Sequence, residues 1–454
     1  MRVLLVEPPI SPFDIPTGIA VLPEPLALET VAAKICEHHE VRLLDMRLEQ
    51  NLDEILGEFK PHVVGTGSVT ANLYLGKQVL QKAKAYNPDI LTLIGGHHVT
   101  FMPQDAHESY IDVIVIGEGD YNTASVIDAF EKKTSFEPIP NLVINAGECQ
   151  IRTAEGLLAN MDQLPVPARH LVKRYRLQYF QRMHRPIVSI NTSRGCPYRC
   201  QFCCLWKMNR GKYRVRSAKL VVDEIRNFEE NFVDCIDDNS IENVARANQI
   251  ADLMISGNIR KLMKMYARAD TVAKNPELIQ KLALAGLKML LVGFETLRSD
   301  KLEEWNKKCT LEINHTAISL LQENGIDVVA YFVVDPQFEE ADFERLSHYV
   351  SEMKLSDPLF TILVPFPGTD LYEQRKNDIV WNDYRMFDFF HTVMQTKLPL
   401  DEFYNQFAML YQKAYLGNSD SESARAKAAV FSEVFRRISA LRTHHDQKAS
   451  PRSL

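Results

Sequence analysis

Short apolar runs with no polar alternation recur through the first 133 residues: RVLLVEP (2–8), EVRLLD (40–45), HVVGTGS (62–68), ILTLIGG (90–96) and DVIVIGEGD (112–120). Between them, residues 26–36 and 75–86 repeat apolar positions at helical spacing. A strand that is apolar on both faces must be covered on both faces. The alternation therefore predicts a doubly wound α/β domain over 1–133, of the flavodoxin or Rossmann type. Residues 134–185 break the pattern: SFEPIPNL and MDQLPVPARHL are Pro-rich and weakly periodic. They predict a linker with some short strands that straps two larger bodies together.

From 186 to 368 the alternation resumes. Strands are expected at IVSINTS (187–193), FVDCID (232–237), KMYARAD (264–270), KMLLVGFE (288–295), DVVAYFVV (327–334) and FTILVPF (360–366), with helical patterns between them. Six such units predict a partial (β/α)6 barrel, and function in such a sheet collects at the C-terminal ends of the strands. Residues 369–454 read as mainly helical. Near the end, Val430, Phe431, Val434, Phe435, Ile438 and Leu441 form an apolar stripe beside Arg436, Arg437 and Arg442. A terminal helix docked on the body is the expectation, peripheral membrane contact is the alternative, and the last ten residues are expected to be disordered.

Composition narrows this picture. The chain has 454 residues, 46% hydrophobic and 24% charged, with a formal net charge of −7. The acidic balance argues against a nucleic-acid partner, which calls for a basic excess. No stretch reaches the roughly 18 apolar residues of a membrane span. MRVLLVEPPI reads as a buried strand rather than a secretory signal, so a cytoplasmic protein is expected. Of the eight cysteines, four crowd into 196–204. Cys36, Cys149, Cys235 and Cys309 are scattered and are expected to be buried small apolar residues.

The crowded segment reads TSRGCPYRCQFCC, placing Cys196, Cys200 and Cys203 at C-x3-C-x2-C just after the first barrel strand. Three thiolates can ligate three irons of a [4Fe–4S] cluster and leave the fourth iron open to a ligand. A zinc site would need four ligands, usually two separated pairs, and no second pair is present. Spacing favours Cys203 over Cys204 as the third ligand.

C-x3-C-x-aromatic-C, with Phe202 as the aromatic, resembles the signature of the radical S-adenosylmethionine (SAM) superfamily. The resemblance implies that the open iron binds SAM and that reduction yields a 5′-deoxyadenosyl radical. It also implies SAM contacts at the barrel rim: Asp237 or Asp238 of IDDNS (236–240), Arg268 of YARAD (266–270), Glu295 of GFET (293–296) and the VPFPGT turn (364–369). A guanidinium fork such as that of Arg268 matches a carboxylate.

The first domain resembles the cobalamin-binding domain that precedes many radical SAM modules. The matching strand-end loops are VVGTGSVT (63–70), IGGHHVT (94–100) and GEGD (117–120). They make Ser68, Thr70, Gly95, Gly96, His98, Gly117, Glu118 and Gly119 the expected cobalamin contacts. The D-x-H-x-x-G motif that supplies an axial His elsewhere is missing. The expectation is base-off cobalamin with no protein imidazole, His97 and His98 being hydrogen-bonding loop residues.

Nearly the whole chain is similar to the class B, cobalamin-dependent radical SAM methyltransferases, and most to their hopanoid C-3 methylase branch. LPEPLALE (22–29), VVDPQFEEADF (333–343) and NDYRMFDFFHTVMQTKLPLDEFY (382–404) carry that likeness. It implies transfer of a methyl group from methylcobalamin to an unactivated carbon of a hydrophobic polycyclic substrate, a hopanoid-type lipid or, next, a tetrapyrrole side chain. The alternative is a cobalamin-dependent oxidase or cyclase that moves no methyl group. Radical abstraction from an sp3 carbon needs no general base, so no catalytic acid or base is expected. Electrons would come from a flavodoxin or ferredoxin.

Overall fold

The computed structural model describes residues 1–15, 17–415, and Glu433, Arg436 and Arg437. Seven strands form the first sheet: β1 (Arg2–Glu7), β2 (Glu40–Asp45), β3 (Val63–Gly67), β4 (Leu91–Gly95), β5 (Val113–Val115), β6 (Leu142–Ala146) and β7 (Cys149–Arg152). Their order is β2-β1-β3-β4-β5-β6-β7. The first five run parallel, and the β6–β7 hairpin adds antiparallel at the edge. Chain direction across the sheet reverses between β1 and β3, the place where an open α/β sheet leaves a crevice at its carboxyl edge. One face buries Val3, Leu5 and Val63 under helix α1 (Leu26–Ile35). The other buries Leu4, Val6 and Val64 under α2 (Leu52–Phe59) and α3 (Leu73–Tyr86).

The second sheet has six parallel strands in sequence order: β8 (Ile187–Ile190), β9 (Phe232–Cys235), β10 (Leu262–Arg268), β11 (Leu287–Glu295), β12 (Asp327–Val334) and β13 (Asp357–Ile362). This is the expected partial barrel. Its last strand lies earlier than the sequence pattern suggests. Pro358 is tolerated there because β13 is an edge strand, whereas Pro365 and Pro367 have no N–H to continue a ladder.

Three further differences bear on the site. His97 and His98 open a five-residue helix, α4 (His97–Phe101), instead of lying in a loop. Most of 376–399 is irregular; Met386, Phe387, Val393 and Met394 pack there on Trp305, Val333 and Leu363 near the barrel mouth. Of the four scattered cysteines only Cys235 is buried, and Cys149 is exposed on the edge hairpin. The apolar stripe expected at 430–441 lies outside the described residues. Arg437 donates to the Asp14 carbonyl at 3.0 Å.

Candidate active site at the domain interface

The cysteine loop is pinned at its start by two carboxylates that follow β9. Asp237 accepts from the Thr192 N–H at 2.6 Å, the Ser193 N–H at 2.9 Å and the Thr192 hydroxyl at 2.6 Å. Asp238 accepts from the Gly195 N–H at 2.6 Å, and burial pushes its carboxyl up to about 6. Gly195 stands at φ +90°, where a Cβ would fall 2.0 Å from the Lys212 carbonyl oxygen, so only glycine fits. A remote turn holds the loop from the other side. Gln201 N–H donates to the Trp305 carbonyl at 3.1 Å, Asn306 Nδ2 donates to the Arg199 carbonyl at 2.9 Å, and Phe202 meets Trp305 edge-to-face at 5.8 Å.

Within the loop, Cys196, Cys200 and Cys203 lie close enough to act on one another's ionisation, and burial pushes all three thiols up. Thiolates there need a positive centre, which iron supplies. Cys204 also lies close enough to act on Cys203. Its thiol, pushed up to about 11 by burial, sits against Asp238 and Lys207. Among the described residues no three His, Cys, Asp or Glu side chains converge as on a single ion. Three thiols carried on one loop match the ligand number of a cluster with one open iron.

Two buried cations flank Cys200. Arg268 Nη1 lies 4.0 Å from its sulfur, Nε donates to Asp270 at 2.9 Å, and the guanidinium stacks over Tyr198 at 3.6 Å. Arg268 Nη2 also donates to the Lys307 carbonyl. The Lys307 ammonium pairs with Glu295. Glu295 itself sits at φ +65° at the end of β11, in a region where a non-glycine residue is strained. Sequence reading missed Tyr198, Trp305, Asn306 and Lys307. No local pattern marks them, and the turn meets the cysteine loop across more than a hundred residues.

The carboxyl edge of the first sheet faces this loop. Gly96, at φ +113°, lets β4 turn so tightly that a Cβ would lie 2.2 Å from the Ser68 carbonyl oxygen. Beside it the Ser68 hydroxyl is buried with no hydrogen-bond partner. An orphaned hydroxyl against a cradle of small residues fits a flat, amide-rich macrocycle such as cobalamin. His98 is fully occupied: Nδ1 meets the Thr70 hydroxyl at 3.2 Å and Nε2 meets Asp105 at 3.0 Å. His97 is exposed at the start of α4.

Gly117 N–H is held by the Thr100 hydroxyl at 2.9 Å, and the Gly119 carbonyl accepts from Thr123 N–H at 3.3 Å. Glu118 turns instead to the barrel. It takes Arg194 at 2.9 Å and Arg214 at 2.6 Å. Burial opposes its ionisation, but the two arginines hold it at about 2. A cleft of about 310 Å³ separates Thr100, Gly117 and Glu118 from Lys207 and Met208, which follow the cysteine loop.

Comparison with known families decides what this pairing is. Residues 19–127 match the B12 binding domain and residues 190–350 the Radical SAM superfamily. The chain therefore pairs a B12 binding domain with a radical SAM domain. The cofactors of this radical SAM protein are a [4Fe–4S] cluster, SAM and cobalamin. It is 28% identical to the hopanoid C-3 methylase of Methylococcus capsulatus, over 94% of this chain and 82% of the relative. It is also 28% identical to the anaerobic magnesium-protoporphyrin IX monomethyl ester cyclase of Rubrivivax gelatinosus, over 76% of this chain and 64% of that one. Its fold matches the radical SAM methyltransferase TsrM of Kitasatospora setae, solved with cobalamin and a [4Fe–4S] cluster: TM-score 0.71, 16% identity, 96% of this chain and 99% of that one. No helix among the described residues is long and apolar enough to cross a membrane.

Proposed function

We propose that this radical SAM protein methylates an unactivated carbon of a hydrophobic polycyclic substrate, a hopanoid-type lipid before a tetrapyrrole. The observation that carries the reading is the interface itself: Glu118, in the small-residue rim of the first sheet, pairs with Arg194 and Arg214 on either side of the cysteine loop. In this reading Cys196, Cys200 and Cys203 hold the cluster, with Phe202, Asp238, Arg268 and Glu295 around SAM. Ser68, Thr70, Gly95, Gly96, His98, Gly117, Glu118 and Gly119 border cobalamin.

When bound, these groups supply a SAM-derived radical that removes hydrogen and a methyl group for the carbon radical left behind. The chain's own part is alignment. Asp237 and Asp238 fix where the cysteine loop begins. Arg268 and Lys307 set positive charge beside Cys200. His98, with both ring nitrogens engaged, offers cobalt no lone pair, which supports cobalamin without a protein imidazole.

Apolar substrate character is supported by Phe366 and Phe389, whose rings meet at 4.7 Å beyond the end of β13. Phe389 remains 47% exposed at φ +75°, an exposed bulky ring in a strained backbone. Likeness to the cyclase supports a second reading, ring closure without methyl transfer. Anaerobic incubation with methyl-labelled SAM and either hopanoids or magnesium porphyrins separates them. Label in a lipid or pigment establishes the methylase, an unlabelled cyclised porphyrin establishes the second reading, and no turnover of either class rejects a polycyclic substrate.

A further inference from the structure

A hydrogen-bond chain runs from the irregular C-terminal segment to the rim of the first sheet. The Tyr384 hydroxyl donates to Asp105 Oδ2 at 2.9 Å. The same oxygen lies 3.0 Å from His98 Nε2, and His98 Nδ1 lies 3.2 Å from the Thr70 hydroxyl. His98 is buried to 1% exposure, Thr70 to 7%, and the Tyr384 ring stands edge-on to the imidazole at 4.7 Å. Tyr384 and Asp105 are 279 residues apart in the chain, so the contact exists only when the C-terminal segment sits on the first domain.

The direction of every proton in this chain follows from the inventory of donors and acceptors. An ionised carboxylate only accepts. Burial works against ionisation of Asp105, but the bonds from His98 and Tyr384 outweigh it and hold its pKa below the ordinary value. His98 Nε2 must then carry the proton it gives to Asp105. In the neutral ring this makes Nδ1 an acceptor, because the bond made by one nitrogen sets the tautomer of the other. The Thr70 hydroxyl is therefore the donor to Nδ1. Its proton is committed, and its oxygen keeps lone pairs for a donor from outside the protein. The neighbouring buried Ser68 hydroxyl, with no partner, marks the same rim as the place where a ligand arrives.

We infer that Tyr384, Asp105 and His98 are positioning residues that fix Thr70 as a hydrogen-bond acceptor for an amide N–H of bound cobalamin. The C-terminal segment thereby couples to cofactor affinity. This rests on the cobalamin reading given above, and the test keeps the two apart.

Binding of hydroxocobalamin to the purified full-length chain, read by absorbance after separation of free cofactor, is compared across a double-mutant cycle. Thr70→Val removes the acceptor and is expected to weaken binding about 2- to 10-fold, the range for one net hydrogen bond. Thr70→Ser should restore it. Asp105→Ala should weaken binding in the parent yet change nothing further in the Thr70→Val background. Tyr384→Phe, which removes one oxygen and leaves the ring, should behave as a smaller version of Asp105→Ala. Equal losses in both backgrounds, or Thr70→Ser binding as poorly as Thr70→Val, would overturn the relay. A parent chain that binds no cobalamin would instead reject the cobalamin reading itself.

Discussion

Replacing Glu118 by Gln tests the interface at its most charged point. Glu118 bridges the end of β5 to Arg194 and Arg214, which lie either side of the cysteine loop, at 2.9 and 2.6 Å. Its side chain is 16% exposed. The fall of its pKa from 4.5 to about 2 corresponds to roughly 3 kcal/mol, at about 1.36 kcal/mol for each tenfold change in proton affinity. Water reaches part of the group, and screening reduces this to about 1–2 kcal/mol. The sign follows from linkage: a carboxylate whose pKa is depressed by folding adds stability above its unfolded value, lost as pH falls through the folded one.

The window here runs from about 4.5 down to about 2. Urea unfolding of cofactor-free protein at pH 7 should show Glu118→Gln less stable by about 1–2 kcal/mol. The stability gap between parent and variant should shrink as pH falls through that window. Equal stability at pH 7, or a gap that does not change with pH, would refute the assignment of this ion pair as a strap between the domains.

Cys203→Ala should lose cluster iron while Cys204→Ala keeps it, checked by iron and sulfide analysis after anaerobic reconstitution; the reverse would move the ligand to Cys204. Gly96→Ala should abolish cobalamin binding, because a Cβ 2.2 Å from the Ser68 carbonyl oxygen forces the rim apart; retained affinity by equilibrium dialysis would contradict the close approach. Arg268→Ala should weaken SAM binding at least 10-fold, the scale of a lost charge-assisted bond of roughly 1.5–3 kcal/mol; unchanged affinity by calorimetry would remove it from the SAM site.

Strands buried on both faces were legible because nothing in their sequence competes with that reading. RVLLVEP and DVVAYFVV fill nearly the spans their apolar runs suggest, Arg2–Glu7 and Asp327–Val334. The β6–β7 hairpin was obscured because its residues are half exposed, leaving no continuous apolar run. Helix α4 is only five residues long, too short for a helical period to show. The cysteine loop was legible because its ligands are adjacent in sequence. Its supports were not: Trp305 and Asn306 reach it from a turn after β11, more than a hundred residues further along the chain. The two arginines that hold the Glu118 carboxylate were not legible either, because only the folded chain brings them near.

The most direct test of the central claim is a joint count of iron, cobalamin and SAM cleavage in one preparation. The anaerobically reconstituted chain is predicted to hold about four irons and about one cobalamin, and to form 5′-deoxyadenosine from SAM when reduced. The variant with Cys196, Cys200 and Cys203 all changed to Ala should lose the iron and the cleavage but keep the cobalamin. Fewer than about three irons in the parent, or 5′-deoxyadenosine from the triple variant, would contradict a three-cysteine radical SAM cluster facing a cobalamin domain.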